Sequence, residues 1–236
     1  MTQSPRTGFI DCMPKAELHV HLEGTLEPGL SFALAQKNAI ALAYGSPEEL
    51  LQAYNFYDLS SFLAIYYKGM EVLKDEDDFF ELTWAYLLKA REQNVVAVET
   101  LVEALPYKHW LIGVGLDSDD HGINSLEDPA LCEVIRERGL GLTICPVSNR
   151  FCTQDLTATH IQRMLALGMR ATVNSDDPAY FRAYMNENLQ ALYDEGHLTQ
   201  AEIIQLVRNS FLASWLDDTR RNAYLERLQT YLAEAA

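Results

Sequence analysis

Five short apolar runs, separated by stretches patterned for helix, constrain this chain more than any other feature. They lie near residues 16–21, 95–100, 111–116, 142–146 and 171–175. "NVVAVET" is a continuous Val-rich run, as in a strand covered on both faces. Strands that alternate with helices build a parallel sheet, open or closed into a barrel. Helix signals fill the intervals. In "SPEELLQAY", Ser46 is placed as N-cap, Pro47 takes the first helical position and Glu49 completes a capping box. Leu59–Lys74 and Asp77–Gln93 repeat apolar residues at helical spacing. Asp128 and Pro129 open a helix that stops near Gly139, and another runs from about Thr159 to Leu167, ending at Gly168. Thr199 and Glu202 form a capping box, and a last helix spans about Asp218 to Ala233. The "GVG" at Gly113–Gly115 does not complete a dinucleotide fingerprint, because its third glycine position is Ser118.

A closed barrel of parallel strands needs eight strands in about 250 residues. This chain has 236 residues and spends about 70 of them on helices after the first strand. The expectation is an α/β fold of the (β/α)8 barrel type, incomplete, with five of the eight strands found. It is expected to be one domain, 1–236, with a helical insertion at about 25–94. The formal net charge is −16 and the pI about 4.7, which disfavours nucleic acid or an anionic membrane as partner. No apolar run approaches the roughly 18 residues of a membrane span. The first residues, "MTQSPRTGFIDCMPKAE", lack the apolar core of a signal peptide. Cys12, Cys132, Cys145 and Cys152 form no CxxC pair and are expected to be thiols in a reducing, cytoplasmic setting. Homo-oligomerisation stays open.

Chemistry concentrates in three places. "AELHVHLEG" carries His19 and His21 two residues apart, and side chains at that spacing on a strand project to the same side. Two imidazoles there supply half the ligands of a catalytic zinc site, although the pair alone suits surface or structural histidines equally well. "VNSDDPAYF" puts Asp176 and Asp177 at the end of a strand, as metal and substrate carboxylates or as a solvated turn. In a parallel barrel, residues at strand C-terminal ends share the active-site face. His121, in the turn "DDHGINSLEDPAL", is either an exposed spectator or a group that orients or deprotonates a metal-activated water. His109, His160 and His197 lack partners in sequence and are expected to be structural or exposed. There is no HExxH, no GxSxG, no P-loop, and no HxE paired with PCxxC.

Taken in order, "MPKAELHVHLEGTLEP", "DHGINSLEDPAL", "LTICPVSN" and "VNSDDPAYF" resemble the adenosine/adenine deaminase family, and most of all its adenine deaminase branch. The likeness runs from about Met13 to Ser214. It implies a barrel of the metal-dependent hydrolase superfamily, one zinc ion per chain and a small purine substrate. By the resemblance His19, His21 and Asp176 are zinc ligands, Asp177 contacts the purine and the attacking water, and His121 orients the hydroxide. The implied reaction converts adenine to hypoxanthine and ammonia, as in purine salvage, with adenosine as the other substrate. The family also has a His-Ala-Gly-Glu segment that holds a further zinc histidine and the proton-donor glutamate. It is missing here: "GVGLDS" runs directly to "DDHGINS". A second shortening follows "VAVET". A deaminase with pieces missing, a relic that only binds purine or metal, and another metal-dependent hydrolase of the superfamily are the readings left open.

Overall fold

The computed structural model describes residues 7–99, 125–153 and 155–235. A short helix, α1 (Thr7–Cys12), leads into strand β1 (Lys15–Glu17). A 3-10 turn at Glu23–Thr25 opens a run of four helices: α2 (Pro28–Lys37), α3 (Pro47–Ala53), α4 (Leu59–Met70) and α5 (Glu76–Glu92). Strand β2 (Val95–Val98) follows, and later α6 (Pro129–Arg138), β3 (Gly141–Ile144), α7 (Pro146–Thr153), α8 (Ala158–Ala166) and β4 (Arg170–Val173). The chain then continues through α9 (Pro178–Phe181), α10 (Met185–Asp194), α11 (Gln200–Ala213) and α12 (Asp218–Glu234).

The strands are all parallel. β1 pairs with β2, and β3 pairs with β4. A parallel bridge between Val20 and Asp176 joins the two pairs. There the His21 N–H donates to the Asp176 carbonyl at 2.9 Å, and the Asp176 N–H donates to the His19 carbonyl at 3.2 Å. The Leu18 N–H reaches the Asn174 side-chain oxygen at 2.7 Å. The spatial order is therefore β3–β4–β1–β2, with the last strand beside the first. That wrap-around order is what a parallel sheet makes when it curls toward closure, and the fold is a partial α/β barrel. Of the five expected strands, the one at 111–116 lies outside the described residues.

Residue alternation along β1 explains its sequence. Ala16, Leu18 and Val20 pack into apolar clusters. Lys15, Glu17, His19 and His21 form the opposite series, so one side of this segment is polar and ends in two imidazoles. On the outer side, α11 lies over β4 and β1. Phe211, Leu206 and Val207 close on Ala171, Val173 and Ile144 in the main core. The Asn209 amide donates to the Ala171 carbonyl at 2.9 Å, tying that helix to the strand.

Helix starts follow local chemistry. Asp128 caps α6 through the N–H groups of Ala130 and Leu131, and Gly139 ends it in the left-handed conformation at φ 63°. Thr199 and Glu202 form the expected reciprocal box at α11. At α3 the Ser46 hydroxyl accepts from the Glu49 N–H at 3.2 Å, but the Glu49 carboxylate accepts from the Gly45 N–H at 2.7 Å. The predicted box is thus displaced by one residue on its return arm. The helix expected to run to Lys74 stops at Met70. Regular pairing is also shorter than expected: β1 ends at Glu17 and β3 at Ile144. Pro146, with no N–H to give a strand, begins α7 instead. Within the helical region, the buried Asp78 accepts from Lys37 Nζ at 2.8 Å, from Asn38 at 2.7 Å and from the Lys74 N–H at 2.8 Å, which ties α2 to α5.

Candidate metal centre

The C-terminal ends of β1, β3 and β4 converge. His19 Nε2 and His21 Nε2 each lie 3.2 Å from Asp176 Oδ1. The two rings stand edge to face with centroids 5.4 Å apart. His19 and Asp176 are 9% exposed, so neither imidazole nor carboxylate is a freely solvated surface group. Burial pushes the Asp176 carboxyl up, but hydrogen bonds and charge from His19 and His21 outweigh it and hold it well below the usual carboxylate range. Asp176 itself sits in left-handed backbone at φ 65°, a conformation that Asp and Asn adopt more readily than most residues. This twist turns its side chain toward the histidines immediately after the strand.

Other side chains hold the arrangement. The Ser148 hydroxyl, on α7, donates to Asp176 Oδ2 at 2.7 Å. Glu17 lies buried below His19, where Oε1 accepts from the Ser175 N–H at 2.9 Å and from its hydroxyl. Its Oε2 accepts from the Tyr86 hydroxyl of α5 at 2.5 Å. Burial raises the Glu17 carboxyl, and the Ser175 and Tyr86 hydrogen bonds oppose that rise. Glu17 thus pins the backbone beside Asp176 to the strand that carries the histidines. Ser148, Glu17 and Tyr86 were not singled out from sequence; only Glu17 left a signal there, as a member of the Lys15, Glu17, His19, His21 series.

Asp177 is buried next to the cluster, and His21, Asp176 and Asp177 bring ligand atoms within 4.8 Å of one another. Gly24 lies so close to Asp177 that a Cβ there would stand 2.1 Å from Oδ1. Beyond Asp177 is an aromatic cluster that includes Phe56, Phe62, Tyr66 and Tyr180. Burial raises the Tyr66 hydroxyl, and charge on Asp177 and Glu23 adds to the effect. His121 and His109 lie outside the described residues. His197 is exposed at φ 55°, and His160 is half-buried on α8; neither joins the cluster.

The donor set fits a zinc ion. Around a tetrahedral ion with bonds of about 2.0–2.1 Å, neighbouring ligand atoms stand about 3.3–3.4 Å apart. The two 3.2 Å contacts to Asp176 Oδ1 match that spacing. Two imidazoles and one carboxylate also form a common catalytic zinc set.

A family model described as adenosine deaminase matches residues 14–119 and 108–231. The chain belongs to the adenosine deaminase family. It is 33% identical over 328 aligned residues to an adenine deaminase of Hahella chejuensis, covering 95% of this chain and 98% of that protein. The crystal structure of an adenine deaminase from Arthrobacter aurescens matches with a TM-score of 0.84 at 28% identity, over 94% of this chain and 100% of that one. An amidohydrolase from Burkholderia ambifaria with bound zinc shares the fold at a TM-score of 0.62 and 14% identity, over 99% and 95% of the two chains. The aligned length of 328 exceeds the 236 residues of this chain by 92, so the relative carries positions with no counterpart here. The family match breaks into two pieces that overlap at 108–119, the stretch in which the His-Ala-Gly-Glu segment is missing.

Proposed function

We propose that this chain is an adenine aminohydrolase that adds water to adenine and releases hypoxanthine and ammonia. The observation that supports it best is the convergence of His19, His21 and Asp176 at the C-terminal ends of parallel strands, in a chain of this family. In this reading His19 and His21 offer Nε2 and Asp176 offers Oδ1 to one zinc ion. A zinc held there supplies Lewis acidity, which makes a water acidic enough to lose its proton near neutral pH. Asp176 balances part of the ion's charge, while Ser148 and Glu17 fix its orientation. Asp177 contacts the purine ring and holds the attacking water. The aromatic cluster beside it offers flat apolar surface to a heteroaromatic ring. His121 keeps the water oriented. Residues 1–236 act as one domain with the helices of about 25–94 as an insertion, working in the cytoplasm in purine salvage.

The missing glutamate supports a second reading. Without a positioned acid, protonation of the ring must be served by another group, and such a loss typically costs about 100- to 10,000-fold in rate. The chain would then bind metal and purine with little turnover. The deciding experiment is ammonia release from adenine, and separately from adenosine, by the purified chain with stoichiometric zinc. Turnover of adenine on the order of 1–1,000 per second supports the enzyme reading. Faster release from adenosine reassigns the substrate. A folded chain that binds adenine in equilibrium dialysis yet releases no ammonia supports the binding-only reading.

A further inference from the structure

The same cluster contains a donor that the sequence placed nowhere near it. Cys145 follows β3 directly, and β3 is the neighbour of β4. Its Sγ, a nitrogen of His19 and an oxygen of Asp176 all lie within 4.8 Å of one another. Cys145 is 6% exposed and carries a thiol rather than a disulfide. We propose that Cys145 is a protein ligand of the metal, completing with its thiolate a His19–His21–Asp176–Cys145 set. This rests on the reading of the two histidines and Asp176 as metal ligands.

Three arguments carry the assignment. The first is position. His19 and His21 follow β1, Asp176 follows β4 and Cys145 follows β3, so three adjacent strands deliver their donors to one face. The second is distance. With bonds of about 2.3 Å to sulfur and 2.0 Å to nitrogen, a tetrahedral ion sets its S···N edge at about 3.5 Å. The 4.8 Å limit therefore leaves no more than about 1 Å to close. The third is chemistry. Thiolate is a strong zinc donor, and this chain lacks the His-Ala-Gly-Glu histidine, so a fourth protein donor has a vacancy to fill. A thiolate also favours softer ions, so the site should take cadmium more readily than one built from imidazole and carboxylate alone.

The test is cobalt(II) titration of the full chain in a Cys12→Ser background, which removes the exposed thiol. Visible absorption reports ion bound at a four-coordinate site. A near-ultraviolet sulfur-to-cobalt charge-transfer band reports thiolate ligation. The expected result is one cobalt per chain with both signals, with the charge-transfer band lost and the visible bands shifted but present in Cys145→Ser. Zinc affinity of that variant, read by competition with a chromophoric chelator, should fall by at least the roughly 10- to 100-fold that loss of an outer-shell partner costs. Visible bands without a charge-transfer band, and unchanged by Cys145→Ser, overturn the cysteine assignment and leave the metal centre standing. No stoichiometric cobalt binding by the folded chain overturns both.

Discussion

Gly24→Ala should damage the site and the fold together. Gly24 sits in the 3-10 turn that follows His21. A Cβ there would lie 2.1 Å from Asp177 Oδ1 and 2.7 Å from both its Cα and its Cγ. Ordinary contacts need about 3.5–4.0 Å. A side-chain rotation relieves the first clash but not the one with Cα, so backbone must move. That backbone is tethered: the N–H groups of Tyr180 and Phe181 both donate to the Asp177 carbonyl at 3.1 Å, and Asp176 precedes it in left-handed geometry. Overpacking of this kind costs about 1–3 kcal/mol. For a chain of 236 residues each kcal/mol moves Tm by about 2–4 °C, so the midpoint should fall by about 2–12 °C. Zinc affinity should fall with it, since displacement of Asp177 carries Asp176 away from the histidines. Circular-dichroism melts and zinc competition measure the two effects. Gly29→Ala is the control. An added Cβ at Gly29 meets nothing within 4 Å, and the residue lies in α2, where alanine is favoured by about 0.5–1 kcal/mol. A Gly24→Ala protein that melts as the wild type does and binds zinc equally well would refute the packing argument.

Three further outcomes follow from the same geometry. Lys15 is buried, its amine donating to the Ile10 and Met13 carbonyls at 2.7 Å, and burial lowers its pKa from 10.5 to about 7 against the opposing charge of Asp11. Between those values the unfolded chain holds a proton that the folded chain lacks, so stability should rise with pH from about 7 to about 10.5 and be flat in this contribution below it. Urea titrations at stepped pH should show Lys15→Met losing a slope of up to about 1.4 kcal/mol per pH unit; an identical slope in both proteins rules the account out. Ser148→Ala removes the 2.7 Å donor to Asp176 Oδ2 and should weaken zinc binding roughly 10- to 100-fold without altering the far-ultraviolet spectrum. Asp176→Asn keeps a residue that tolerates the φ of 65° but removes the charge, so zinc binding should be lost while the fold is kept. Retained affinity in that variant would show that Asp176 is not a ligand.

What could be seen in the sequence is what depends on residues within a few positions of one another. Asp128 with Gly139, and Thr199 with Glu202, mark helix ends because each cap is satisfied by backbone one turn away. The polar series Lys15, Glu17, His19, His21 against apolar Ala16, Leu18, Val20 shows two faces because strand geometry alternates. The donor identities at His19, His21 and Asp176 were equally plain, since residue type alone states what a side chain can bind. Where local signals misled, a single atom decided: the missing N–H of Pro146 turns the end of β3 into the start of a helix. The tertiary structure alone decided which distant residues meet. It set β4 beside β1, so that Ser175 and Glu17, 158 residues apart, share hydrogen bonds and Asp176 faces both histidines. It brought Cys145 to that same point, although nothing next to it in the chain marks it as a ligand. Strand order is set by burial of whole faces and by pairing across the sheet, and those are properties of the folded chain that no window of neighbouring residues contains.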